Sequence, residues 1–183
     1  AVPAWLPHVP LHAPSSRLLI LETSVRSIAL EPLDAAAFAP FGEVLTPPAE
    51  GGRSYFEQAL ANHRARARAS LSLARIETAR RLPLEAVQME RHPSSSQSFV
   101  PLGPVAFLAI VAPRGPDGRP DTARARAFLA ENGQGVTYAA GTWHHPLTVI
   151  DGTPAGFAVW MWRDGTAEDE EFVDVEPFRV EPA

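Results

Sequence analysis

Val105-Ala106-Phe107-Leu108-Ala109-Ile110-Val111 carries no polar side chain on either of its alternating faces. A strand of this kind is buried on both sides, as a central barrel or sandwich strand is. Turn formers follow it, from Pro113 through Pro120 and again at Gly133, Gly135 and Gly141. Further strands are predicted at 86–92, 97–101, 134–138, 147–150 and 157–163. Towards the start they are predicted at Leu18–Leu21, Val25–Glu31 and Glu43–Leu45. Short helices are expected at Ala35–Phe38, capped by Asp34, and within Thr122–Leu129. Many short strands between proline and glycine turns predict a mainly β fold, a barrel or double-sheet jelly roll. The alternating helices and glycine fingerprint of a dinucleotide-binding sheet are absent.

Residues 64–77 alternate in type. Arg64, Arg66, Arg68, Ser70 and Ser72 interleave with Ala65, Ala67, Ala69, Leu71 and Leu73. Period two predicts a strand with the alanines and leucines on its dry face and the arginines in solvent. Arg75 then shares the dry face, where a charge needs a partner or a bound anion.

A length of 183 residues supports one core, and 45% apolar with 20% charged residues fits a globular protein. Nineteen prolines disfavour long helices. A net charge of −5 gives no reason to expect a nucleic-acid partner. With no cysteine, disulfides, thiolate zinc sites and thiol nucleophiles are excluded. No apolar run reaches membrane-spanning length, and the expected location is the cytoplasm. Residues 1–24 are expected to be an N-terminal extension, with residues 25–183 a single domain. Pro10 argues against pairing His8 and His12 as metal ligands. The acidic run at 168–171 is expected to be an exposed tail.

Two polar clusters interrupt the strand pattern. In Gln88-Met89-Glu90-Arg91-His92-Pro93, strand parity points Gln88, Glu90 and His92 the same way. Gln97 can return to that cavity after the Ser94-Ser95-Ser96 turn, which is expected to be solvated. In Gly141-Thr142-Trp143-His144-His145-Pro146, the adjacent histidines must diverge. His144 is expected to face a pocket and His145 to support it. These groups suit proton transfer, hydrogen bonding or metal coordination. Competing structural readings are a core histidine at 144 and a surface ion pair between Glu90 and Arg91. Trp143, Trp160 and Trp162 are expected in the core or at a subunit interface.

The chain resembles the ureidoglycolate lyase family. The resemblance rests on Leu33 through Glu43, on Met89 through Leu102, on Arg126-Ala127-Phe128-Leu129, on Gly133 through Tyr138 and on Gly141 through Leu147. It implies a cupin-like β-barrel, a homodimer, and cleavage of ureidoglycolate to glyoxylate and urea. His144, Glu90 and His92 are the implied catalytic residues. Arg75, Gln97 and Tyr138 are expected to bind substrate. Glu90, His92, Gln97 and His144 occupy the places where cupins often hold a divalent metal. Departures are Ala139-Ala140, where the family usually has His-Arg after the tyrosine, and Trp162-Arg163 in place of Asp-Arg. These leave two alternatives, a related enzyme acting on another small carboxylate or ureide, and a non-enzymatic small-acid binder.

Overall fold

The computed structural model describes residues 25–183. The expected strand at Leu18–Leu21, the extension over residues 1–24, and His8 and His12 lie outside the described residues. In chain order the elements are β1 (Arg26–Pro32), α1 (Ala35–Phe38), β2 (Gly42–Leu45), β3 (Arg68–Ile76), β4 (Leu84–Arg91), β5 (Gln97–Pro101) and β6 (Ala106–Ala112). They continue with β7 (Arg126–Ala130), β8 (Gly135–Tyr138), β9 (Trp143–His144), β10 (Thr148–Asp151), β11 (Ala155–Arg163) and β12 (Glu171–Glu181).

Six strands close into a barrel in the order β6-β7-β1-β12-β4-β9, with β9 pairing back onto β6. Closure removes free edges, leaving side chains to fill the small interior. Ile28, Leu84, Met89, Ile110, Trp143 and Phe178 are among those that do so. The remaining sheet has the order β2-β8-β5-β11-β3. It lies across the outer wall of the barrel. Its Phe99, Val136 and Phe157 share a second core with Phe107, Ala109 and Phe128 from that wall. The fold is thus a mainly β, cupin-like barrel.

The two cores explain the segment at 105–111. Leu108 and Ile110 point into the barrel, while Phe107, Ala109 and Val111 face the five-stranded sheet. Both faces of β6 are therefore dry. Asp34 caps α1 as expected, its Oδ1 accepting from the Ala37 N–H at 2.9 Å.

Four expectations are corrected. The helix over 122–129 is only a 3-10 turn at Thr122–Arg124, followed by β7. Its alanines and arginines favour helix locally, but that preference yields to pairing with β6 and β1. The acidic run leads into β12, an 11-residue strand between β1 and β4. Asp169 within the run is buried rather than exposed. The Ser94-Ser95-Ser96 turn is not solvated, since Ser95 and Ser96 are buried. Finally, β3 is a strand with its faces inverted. Leu71 and Leu73 are 61% and 74% exposed, while Ala74 and Ile76 pack on the core. Alternation fixes which residues share a face, but pairing decides which face is dry. Here Ala74 opposes Phe157, which is committed to the interior.

Among the described residues, no helix is long and apolar enough to cross a membrane.

Candidate active site

The two polar motifs meet where the barrel wall faces the five-stranded sheet. On β4, Met89 turns into the barrel core, leaving Glu90 on the opposite face. On β9, Trp143 likewise fills the barrel, and His144 points outward. Glu90 and His144 are register partners. Gly141, with φ at 79°, turns the chain tightly, and its N–H donates to the His92 carbonyl at 2.8 Å. This bond ties the first motif to the second. From the opposing sheet, β5 supplies Gln97 and β8 supplies Tyr138, themselves register partners.

His144 is at the centre and only 1% exposed. Its Nδ1 lies 2.9 Å from the Thr142 carbonyl, which can only accept, so Nδ1 carries hydrogen. Its Nε2 lies 3.1 Å from Gln97 Oε1 and 3.2 Å from Glu90 Oε1. A bare nitrogen lone pair facing two oxygens is unfavourable, so a proton belongs between the imidazole and the Glu90 carboxyl. Gln97 suits either location. Its oxygen accepts from a protonated ring, and the rotated amide donates to a neutral one.

The Tyr138 ring stacks on His144 with centroids 4.0 Å apart and planes at 12°. Burial, and then the charge of Glu90, push the Tyr138 hydroxyl well above its ordinary pKa. It therefore stays protonated. His145 diverges as expected. Its Nδ1 lies 2.9 Å from the Pro146 carbonyl and 3.1 Å from Thr148 Oγ1. Burial lowers its pKa and keeps it neutral.

His92 is buried beside this centre, its ring centroid 6.1 Å from that of His144. Its Nδ1 donates to the Asp169 carbonyl at 2.6 Å. The Asp169 carboxylate accepts from the Ser94 N–H at 2.6 Å and from the Ser95 hydroxyl, and it meets Arg64 Nη2 at 3.3 Å. Sequence reasoning missed this support, because Asp169 reads as one of four neighbouring acids. Arg91 pairs with Glu171 rather than with Glu90.

Of the four expected metal ligands, Glu90, Gln97 and His144 meet and His92 stands apart. His144 Nε2 is engaged by Glu90 and Gln97, while His92 lines a separate small cavity. Among the described residues, no three His, Cys, Asp or Glu side chains converge to hold an ion. The donor atoms of Glu90 and Gln97 each lie within 3.2 Å of His144 Nε2.

Arg75 is not brought to the cluster. It stands on the outer face of β3 with its side chain 65% exposed, Nε donating to Glu77 at 2.6 Å. Ala139 and Ala140 line a different cleft of about 470 Å³, into which Arg114 and Arg124 also open. The missing His-Arg pair therefore leaves the His144 cluster intact.

The cupin-like barrel thus carries a carboxylate–imidazole pair, an arrangement suited to general acid–base chemistry. Residues 25–181 match the family model described as ureidoglycolate lyase. The chain is 40% identical to the ureidoglycolate lyase of Azotobacter vinelandii over 134 residues, covering 69% of this chain and 80% of that one. It is 39% identical to that of a Chelativorans species over 166 residues, covering 85% and 97%. It is 37% identical to that of Burkholderia mallei over 163 residues, covering 80% and 89%. The chain belongs to the ureidoglycolate lyase family.

Proposed function

We propose that this chain cleaves ureidoglycolate to glyoxylate and urea. The observation that carries the reading is His144 Nε2 held between Glu90 and Gln97 while Nδ1 is fixed on Thr142. The chemistry moves one proton. The substrate hydroxyl loses it, the carbon–oxygen bond becomes a carbonyl, the carbon–nitrogen bond breaks, and the departing nitrogen gains a proton. A carboxylate–imidazole pair holding one proton can accept at one member and deliver from the other. Glu90 takes the hydroxyl proton, as the less buried partner at 13% side-chain exposure against 1% for His144. His144 delivers to the nitrogen. Gln97 and Tyr138 position the imidazole. General acid–base groups of this kind contribute about 10²–10⁴-fold to rate.

The test is a coupled assay of urea and glyoxylate release. Equal release of both products supports the reading, and none from folded protein refutes it.

The same reading includes a homodimer, a cytoplasmic location and one domain over residues 25–183. Leu71, Leu73, Val100, Leu102 and Trp160 are all exposed. Strand register places Leu71 beside Trp160, and Leu73 and Val100 beside Ala158, on the outer face of the five-stranded sheet. An apolar face of this extent supports docking of a second copy.

A further inference from the structure

Phe41 lies between α1 and β2, and its backbone carbonyl accepts two hydrogen bonds from the loop that carries His144. One comes from the Ala139 N–H at 3.0 Å and the other from the Thr142 hydroxyl at 2.9 Å. The Thr142 N–H in turn donates to the Ala139 carbonyl at 3.0 Å, closing the turn around Gly141. Both ends of that turn therefore hang from one oxygen. The oxygen is itself fixed. The Phe41 N–H donates to the Phe38 carbonyl at 2.8 Å, and the Phe38 side chain is fully buried, edge-on to Phe128.

This corner reaches the imidazole by two routes. One leads to its face, through Phe38 packed 6.0 Å from Tyr138 and Tyr138 stacked on His144. The other leads to its edge, where the Thr142 carbonyl meets His144 Nδ1 at 2.9 Å. A carbonyl can only accept, so Nδ1 carries hydrogen whether the ring is neutral or charged. The proton exchanged with Glu90 is thereby confined to Nε2. Were the carbonyl to tip away, the neutral ring could take its other tautomer. Its Nε2 would then already carry hydrogen and could not take the proton back from Glu90. Of the bonds that hold Thr142, the hydroxyl's is the one that a side-chain change removes.

We infer that Thr142 is a positioning residue of the His144–Glu90 pair. Its hydroxyl, bound to the Phe41 carbonyl, aims the Thr142 carbonyl at His144 Nδ1 and so locks the ring with Nε2 free for proton exchange. The reaction this serves is ureidoglycolate cleavage, so the catalytic consequence rests on that reading. The tautomer it fixes does not.

The test uses Thr142→Val in the full chain, which keeps the side-chain shape and removes the donor. Imidazole nitrogen NMR is expected to show hydrogen held on Nδ1 of His144 in the wild-type protein and a mixture of tautomers in the variant. Steady-state urea release is expected to lose about 5- to 10-fold in kcat, the worth of one hydrogen bond, with KM within about twofold. Thr142→Ser, which restores the hydroxyl, is expected to recover both readouts. An unchanged His144 spectrum in folded Thr142→Val overturns the role, and so does an unchanged kcat in an active enzyme. A Thr142→Ser protein that behaves like Thr142→Val overturns it too. If Thr142→Val fails to fold while Thr142→Ser folds, the hydroxyl is a structural bond of the turn and the role again falls. A tautomer change in a protein that never releases urea sinks the lyase reading and leaves the positioning of His144 standing. Urea release by the wild-type protein, with spectrum and kcat unaltered in Thr142→Val, does the reverse.

Discussion

The backbone carbonyl of Asp169 accepts the Nδ1 hydrogen of His92 at 2.6 Å, across 77 residues of chain. The same residue's carboxylate holds the Ser94-Ser95 turn and reaches Arg64. Asp169 is therefore the post on which one wall of the site hangs. Asp169→Ala leaves buried donors on Ser94 and Ser95 unpaired, at about 1–3 kcal/mol for each group left unmet. Guanidinium denaturation is expected to show a loss of about 2–4 kcal/mol, since Asp164 still partners Arg64. An unchanged midpoint would show that the turn stands without it.

His144→Asn and Glu90→Gln are each expected to lower kcat by about 10²–10⁴-fold with the fold retained. The double variant should be little worse than either single one, because the two groups share one proton. Strictly multiplicative losses would mean that they act separately. The measurement is steady-state urea release, with circular dichroism to confirm folding.

Arg75→Ala should leave KM for ureidoglycolate within about twofold, an exposed ion pair such as Arg75–Glu77 being worth little. A large rise in KM would place Arg75 in the site through a neighbouring subunit. This residue also marks where sequence reading stopped. Parity grouped Glu90 with His92 and separated His144 from His145, because strand alternation is local. Parity could not say which side of β3 is wet, since the pairing of Ala74 with Phe157 decides that. Asp169 was invisible for a related reason. Its partners lie 74–77 residues away and follow no short motif. β12 was hidden by the acids that precede it.

His145 supplies a pH signature. Burial depresses its folded pKa below the ordinary 6.5, against a smaller opposing pull from the Pro146 carbonyl and Glu90; His144 and Arg80 push it lower. The unfolded chain thus binds a proton that the folded chain refuses. Stability from this group is full above pH 6.5 and declines as pH falls below it. His145→Gln is expected to flatten the drop in Tm between pH 7.5 and 5.5, measured by calorimetry. Parallel curves for the two proteins would contradict the assignment.

Leu73→Asp places a charge on the outer face of the five-stranded sheet, at a side chain 74% exposed in the single chain. Light scattering should then report the mass of one chain where the wild-type protein gives two. Turnover by the variant would show whether the site is complete within one protomer. A dimeric Leu73→Asp would move the interface elsewhere.

β9 is only two residues long, yet it joins β4 to β6 and completes the ring of strands. His144, the proposed proton donor, is thus also a stave of the barrel. Local breathing cannot release His144 without unhooking that ring. Its amide should resist hydrogen exchange as long as the slowest-opening part of the molecule. A side chain mounted this way is held by cooperative unfolding itself, so its placement and structural integrity fail together.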